Sequence, residues 1–165
     1  RYPHEYMWFY KIWKYAKESE IVILSDDKQG HLNQSKLVAD KIQQALAERE
    51  IRSVVKIVKI TFKSRLCYKV LSALSIFFSP LVNLGRLDFL KNFLTNSSFE
   101  DIMKGSPDFV ISCGSSLASV NRLVSFDYNA KSIAVLKPGI LNLKSFNWVV
   151  LPRHDLNEGL QKKII

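Results

Sequence analysis

The chain has 165 residues, of which 47% are hydrophobic and 24% charged, a balance that allows one domain with its own core and excludes a low-complexity chain. Its two cysteines, Cys67 and Cys113, match no metal-ligand spacing and argue against a disulfide framework, so they indicate a reducing, cytoplasmic compartment and no metal site. The net charge of +9 is uneven, because residues 52–91 alone carry +7.

Residues 1–19 form an aromatic and basic segment that holds seven of the nineteen aromatic residues within its first fifteen positions. The segment lacks the apolar centre and cleavage site of a signal peptide. It begins at arginine rather than methionine, which is consistent with a start further upstream. Its aromatic residues recur at helical spacing, which fits an interfacial helix at a membrane and equally fits packing against this domain or a partner.

Five short segments rich in β-branched residues are predicted strands. They are residues 20–25, 52–60, 108–113, 132–137 and 148–152. Helical patterns lie between most of them, at residues 35–50, 66–78, 87–94 and 115–126. The alternation predicts one α/β domain over residues 20–165, Rossmann-like, with a mostly parallel sheet and helices on both faces.

Polar clusters follow four of the predicted strands. They are "DDKQGHLNQ" (26–34), "GSSLAS" (114–119), "KPGILN" (137–142) and "PRHDLNEG" (152–159). Because open parallel sheets bind ligands outside the carboxyl ends of their strands, these four segments are expected to share one functional edge.

The first of these turns combines Gly30, which admits a close ligand, with a following helix start that attracts phosphate. Lys28 can add charge there, and His31 can act as a base near neutral pH. No G-x-G-x-x-G dinucleotide fingerprint is present.

The alternative for this turn is purely structural. Asp26 or Asp27 then caps the turn, and Asn33 or Ser35 caps the helix.

In the second turn, Gly114, Ser115 and Ser116 are predicted to form a small-residue anion nest. The same residues approach the G-x-S-x-G elbow of a serine hydrolase, followed by Asp127 and His154 in the matching chain order. That hydrolase hypothesis is a minor alternative.

The last cluster places Arg153, His154 and Asp155 just after the final strand. His154 and Asp155 either line a site or, in the case of Asp155, cap the next turn. Lys137 to Gly139 is interpreted first as a turn.

The basic excess of residues 52–91 surrounds an apolar stretch at residues 71–85, which is too short to span a bilayer. An apolar segment with a basic rim suits the surface of an anionic membrane. A pair of core helices with solvated lysines is the alternative. Nucleic-acid binding is a weaker idea, because no recognition module accompanies the charge.

Three segments together resemble one family. "SDDKQGHLNQ" is similar to the S-D-G-K-P-G-H-x-x-Q motif that opens the mitochondrial-fission ELM (elongated mitochondria) family. "PDFVISCG" resembles its P-D-L-V-I-x-x-G segment, and "FNWVVLPRHD" its F-D-L-V-V-V-P-x-H-D segment. The three matches follow the family order from Ile21 to about Gly159.

The resemblance implies a glycosyltransferase-like protein of the two-domain GT-B architecture, whose N-terminal half holds the acceptor and whose C-terminal half holds most of the nucleotide sugar. It implies His31 as a base, no tightly bound cofactor, a nucleotide-sugar donor and a sugar or lipid-linked acceptor. The ligand-binding residues that it implies, together with the turns above, are Asp26, Lys28, Gly30, His31, Gln34, Gly114, Ser115, Ser116, His154 and Asp155.

The chain departs from the family pattern at three places. Asp27 replaces a glycine, Gln29 replaces a proline, and Ser115 and Ser116 stand where basic residues are common. The sequence ends at "LQKKII", where a GT-B protein continues into its C-terminal domain, so we expect an N-terminal half that is inactive alone.

The sequence therefore leaves two function classes open. The first is the acceptor-side domain of a glycosyltransferase acting in the cytoplasm, peripheral to the inner face of a membrane. The second is a non-catalytic membrane or protein interaction module of the ELM type.

Overall fold

The computed structural model describes residues 18–77, 87–139 and 141–152, with side chains 75–77 excepted. Five strands carry the architecture: β1 (Glu18–Ser25), β2 (Arg52–Lys59), β3 (Phe109–Cys113), β4 (Lys131–Val135) and β5 (Trp148–Val150). Four α-helices accompany them: α1 (Gln29–Ala47), α2 (Arg65–Phe77), α3 (Asn96–Met103) and α4 (Ala118–Asp127). Short 3₁₀ helices occupy Leu87–Asn92 and Leu143–Ser145.

The strands form one parallel sheet in the order β2-β1-β3-β4-β5. The chain first moves outward from β1 to β2 and then crosses back to place β3 on the other side of β1. The strand order thus reverses between β1 and β3, which makes this position the topological switch point where open α/β sheets bind ligands. The predicted Rossmann-like α/β fold is confirmed.

Strand β1 lies inside the sheet, between β2 and β3, and is apolar on both faces. Ile21 and Ile23 pack on the face that α1 covers, together with Ala39. Val22 and Leu24 point to the other face, where the core also contains Leu71 from α2, Leu90 from the first 3₁₀ helix, Ile102 from α3 and Val120 from α4. A continuous apolar strand is what burial on both faces requires.

A buried asparagine joins α4 to strands β3 and β4. Asn121 is 0% exposed, and its amide donates to the carbonyl oxygens of Val110 at 3.3 Å and Ile133 at 2.9 Å and to Ser112 Oγ at 2.8 Å. Ser125 Oγ donates to its Oδ1 at 2.9 Å. Because each buried polar atom has a partner, the amide fixes the position of α4 against β3 and β4.

Several predicted boundaries were wrong. Helix α1 begins at Gln29 rather than at residue 35, so neither Asn33 nor Ser35 caps it. The segment predicted as a helix at 87–94 is a six-residue 3₁₀ helix, and α4 begins at Ala118 rather than at residue 115.

Helix α3 was not predicted, because its polar start "NSS" is typical of a turn. Tertiary contacts explain why it forms. Ser98 Oγ donates to the Lys59 carbonyl at 2.9 Å and accepts from the Thr61 amide at 2.9 Å, so the hydroxyl anchors the helix start beside β2. Contacts made 37 and more residues away are invisible to a local pattern.

Two of the predicted features lie outside the described residues. The first is the aromatic and basic segment, of which residues 1–17 lie outside them. The second is the apolar stretch of residues 71–85, which is described only as far as residue 77. Over 18–77, 87–139 and 141–152, no helix combines the length and the apolarity needed to cross a membrane.

Candidate functional site

A tight turn joins β1 to α1 at the switch point. The Lys28 amide donates to Asp26 Oδ1 at 3.4 Å, which orders the turn and lets the helix start at the next residue. Asp27 has φ +65°, a left-handed conformation that favours glycine and that aspartate tolerates better than most residues. Glycine, which the resembled motif has at this position, adopts this conformation without strain.

His31 in the first turn of α1 faces the carboxylate of Asp26. Nδ1 of the imidazole lies 3.2 Å from Oδ1 and 3.1 Å from Oδ2 of Asp26. A carboxylate only accepts hydrogen bonds, so Nδ1 carries the proton. In neutral histidine the lone pair is then on Nε2, which has no hydrogen-bond partner among the described residues. This orientation by a carboxylate is the arrangement that prepares a histidine as a general base.

The turn after β3 completes the cluster from the other side of the switch point. Ser116 Oγ donates to Asp26 Oδ2 at 3.2 Å, across 90 residues of sequence. Gly114 lies against the imidazole with φ +81°, and a Cβ at this position would lie 3.0 Å from His31 Cε1. Glycine is therefore required there both for its backbone conformation and for the close approach of the ring.

The charge of Asp26 is stabilised by these neighbours. Its side chain is only 12% exposed, and burial by itself raises the pKa of the carboxyl group. The charge and hydrogen bond of His31, with a smaller contribution from Lys28, outweigh burial, so the pKa lies below its ordinary value. The Lys28 ammonium lies 3.5 Å from Oδ2 and is itself largely exposed. Asp26 therefore remains ionised near neutral pH and can stabilise a protonated imidazole.

Cys113 lies beside the cluster as a neutral donor. Its buried thiol donates to Gln34 Oε1 at 3.2 Å. Burial first, and the negative charge of Asp26 second, raise the pKa of the thiol to about 11, although Lys28 lowers it slightly. Because only a thiolate is a good nucleophile, Cys113 holds the exposed Gln34 rather than attacking a substrate.

The turn after β4 packs against the turn after β3. Gly139 has φ +69°, and a Cβ added there would lie 2.7 Å from Cβ of Ser115. Ser115 itself is exposed. The Leu136 amide donates to the Val150 carbonyl at 2.9 Å, which extends the pairing of β4 with β5. Three of the four predicted turns are thus described at one edge of the sheet.

The structure brings some predicted site residues together and separates others. Asp26, His31, Gly114 and Ser116 form one contact cluster, with Lys28 at its rim. Gly30 faces open space in the first turn of α1. Gln34 contacts Cys113, and Ser115 contacts the Gly139 turn. His154 and Asp155 lie outside the described residues.

Two sequence-based interpretations need correction. The Gly114 amide donates to the Val135 carbonyl at 2.9 Å, so Gly114 does not contribute its amide to the predicted anion nest. In the hydrolase alternative, Ser116 should contact a histidine, but it donates to Asp26. Asp127 lies at the far end of α4, about 13 Å from its first residue by the helical rise, so it cannot complete a triad with Ser116.

Two residues of this edge were missed by sequence reasoning. Cys113 and Lys59 are the last residues of β3 and β2, and the Lys59 ammonium forms an ion pair with Asp27. The rule that strand ends share one edge could have placed both. Among the described residues no group of three or more histidine, cysteine or acidic side chains could hold a metal ion.

Fold and site together define a doubly wound α/β domain with a histidine–carboxylate pair at its topological switch point. The family model for mitochondrial fission ELM1 matches residues 29–165, and the chain belongs to this family. The matched region contains His31, Gly114 and Ser116 and begins just after Asp26 and Lys28. No curated protein and no solved structure matches the chain.

Proposed function

We propose that this chain is the acceptor-binding domain of a glycosyltransferase in which His31 removes the proton from the acceptor hydroxyl. The observation that carries the proposal is the pairing of His31 Nδ1 with the ionised Asp26, which leaves the lone pair of Nε2 available. The switch-point location of the pair supports the proposal, because ligands bind there in open α/β sheets. The reaction type comes from the GT-B-like architecture that the motif resemblance implies.

The proposed reaction assigns each residue one role. An acceptor oxygen attacks the anomeric carbon of a nucleotide sugar, its proton moves to Nε2 of His31, and the bond from the sugar to the nucleotide phosphate breaks. Asp26 stabilises the imidazolium that forms, as carboxylates do in comparable pairs. Ser116 and Gly114 are positioning residues, since one fixes the carboxylate and the other supports the ring. A second domain supplies the donor site in this proposal.

Acceptor binding is tested on this chain by thermal unfolding with a panel of sugar and lipid-linked hydroxyl acceptors and nucleotide sugars. An acceptor at one hundred times its dissociation constant should stabilise the fold by about 2.7 kcal/mol. In nitrogen-15 NMR spectra the bound ligand should shift resonances of Asp26, His31 and Ser116. A panel without any stabilising compound, or shifts confined to another surface, would contradict the proposal.

The role of the imidazole is tested separately from binding. Nitrogen-15 NMR of the imidazole should report the Nδ1–H tautomer in the chain, and Asp26→Asn should reduce that preference. In a protein that contains this domain together with a nucleotide-sugar-binding domain, His31→Gln should lower kcat by about 10²–10⁴-fold. Lys36→Gln on the exposed side of the same helix is the control. Equal turnover by His31→Gln and the unaltered protein would show that His31 is not the base.

The second candidate is a non-catalytic interaction module, which the description of the matching family favours, since it refers to mitochondrial fission. In that function the Asp26–His31 pair stabilises a turn and binds no substrate. The same experiments separate the two candidates. An interaction module predicts no stabilising compound in the panel and a wild-type level of partner binding for His31→Gln.

A further inference from the structure

Helix α2 exposes an apolar stripe. Leu66 is 71% exposed and Val70 is 46% exposed, and Ala73 is also exposed. These positions follow one another at spacings of four and three residues, so they lie on one side of the helix. The opposite side is anchored, because Leu71 is 1% exposed within the core. The helix therefore packs against the core through one side while its stripe faces outward.

Basic side chains border this stripe. Arg65 and Lys69 are exposed on its flank at a spacing of four residues. Lys63 just before the helix donates from Nζ to the Lys91 carbonyl at 2.7 Å, which brings the exposed Lys91 to the same region. Within the described part of the chain none of these four cations forms an ion pair.

The surface lies near the edge of the sheet that carries the His31 cluster. Strand β2 ends at Lys59, which forms an ion pair with Asp27 in the β1–α1 turn. Helix α2 begins six residues later, at Arg65. The start of α2 therefore follows closely in the chain after the strand end that contacts the β1–α1 turn.

We propose that the stripe of Leu66, Val70 and Ala73 docks onto an anionic lipid bilayer. The apolar side chains enter the boundary between head groups and acyl chains, and Lys63, Arg65, Lys69 and Lys91 contact head-group phosphates. Charge complementarity selects this occupant, since Asp88 is the only acid among residues 52–91. The proposal does not rest on the transfer reaction proposed above.

The test is flotation of the full chain with phosphatidylcholine vesicles and with vesicles that contain about one third phosphatidylglycerol. Binding should require the anionic lipid and decrease with added salt. Leu66→Ser combined with Val70→Ser should lower the bound fraction at limiting lipid about tenfold, because burial of two aliphatic side chains is lost. Arg65→Gln combined with Lys69→Gln should lower it by a similar factor at low salt.

Helix α1 offers matched controls. Leu37 is 67% exposed there, close to the value of Leu66, and Lys36 is its basic neighbour. Leu37→Ser and Lys36→Gln should float like the unaltered chain, and circular dichroism verifies that all variants are folded. No flotation of the unaltered chain, or equal flotation of the α2 and α1 variants, overturns the proposal and leaves a protein as the occupant of the stripe. His31→Gln should float normally, so failure here is distinct from failure of the proposed transfer function.

Discussion

Asp26 and Asp127 lie at opposite edges of one sheet and differ in what surrounds their carboxylates. Burial raises the pKa at both positions. At Asp26 the imidazole of His31 and the amide and ammonium of Lys28 reverse this effect. At Asp127, burial is the larger cause and repulsion from Asp88 the smaller one, and both raise the pKa. Burial alone thus does not distinguish the two carboxylates, whereas the donors around Asp26 do.

The two carboxylates differ in the donors that the fold places around them. The edge at the carboxyl ends of the strands joins the β1–α1 and β3–α4 turns through one carboxylate. The opposite edge places Asp127 at the last turn of α4, where the helix dipole also disfavours a negative charge. An ionised carboxylate with oriented partners is available for chemistry, while an unsupported one lowers stability.

The largest expected effect is a difference in stability loss between two glycine substitutions, one at each edge of the sheet. Gly114→Ala should destabilise the fold by about 2–3 kcal/mol, because it combines left-handed backbone strain with a contact 3.0 Å from His31 Cε1. Gly105→Ala at the opposite edge meets Glu20 Oε1 at 2.9 Å, the end of a flexible side chain, and should cost less than about 1 kcal/mol. Urea denaturation measures both. Equal losses would mean that the imidazole does not constrain the Gly114 position.

The next largest effect is expected from a substitution that removes the charge of Asp26. Asp26→Asn should lower the free energy of unfolding at pH 7 by about 1–2 kcal/mol, since charge-assisted hydrogen bonds from His31 and Lys28 are lost. The pKa of Asp26 is lowered in the folded state, so its contribution is present above the ordinary value of 3.8 and lost as the pH falls through the folded-state pKa.

Urea denaturation of both proteins from pH 7 to pH 2 tests this dependence. The difference between Asp26→Asn and the unaltered chain should disappear in acid. Asp27→Asn is the matched control, because Asp27 is 65% exposed and asparagine tolerates its left-handed backbone. A difference that persists unchanged at low pH would indicate lost packing rather than lost charge.

The smallest expected effect is a gain in stability, whereas the substitutions above lower it. Asp127→Asn should stabilise the fold at pH 7, by less than about 0.5 kcal/mol because solvent screens this exposed side chain. The raised pKa means that the charged form is disfavoured in the folded state, so the benefit of protonation is present below the ordinary value of 3.8 and lost as the pH rises.

Thermal unfolding at pH 7 and pH 3 provides the measurement. The stabilisation by Asp127→Asn should appear at pH 7 and vanish at pH 3, where Asp127 is largely protonated. Asp88→Asn should give a part of the same gain, because it removes the repulsion but not the burial. A destabilising Asp127→Asn would show that the carboxylate has a supporting partner.

Local patterns predicted the strands well because each is a short apolar run with a clear end. They failed where a side-chain contact, local or distant, decides the outcome. Gly30 was predicted to lie in the turn before the helix, but α1 includes it. The Asp26 side chain orders the turn, so the helix starts earlier than the pattern indicates. Helix α3 was not predicted, and its start depends on Ser98, which is held by β2 and the segment after it.

The candidate site was predicted in the same partial way. The rule for strand ends placed Asp26, His31, Gly114 and Ser116 at one edge, but it could not assign their partners. Ser116 reaches Asp26 across 90 residues, and this contact exists only because β3 pairs with β1. The imidazole likewise approaches Gly114 only in the folded sheet.

The sequence by itself determined the α/β class, the ELM family and the edge at which polar turns gather, because strand and helix signals and motif order are local properties of the chain. Tertiary structure alone decided the strand order, and with it the switch point between β1 and β3. It also decided that Asp26 orients His31 while Asp127 has no donor partner among the described residues. The physical reason is that carboxylate energetics depend on which donors surround the group in space, and spatial neighbours are set by packing rather than by sequence spacing.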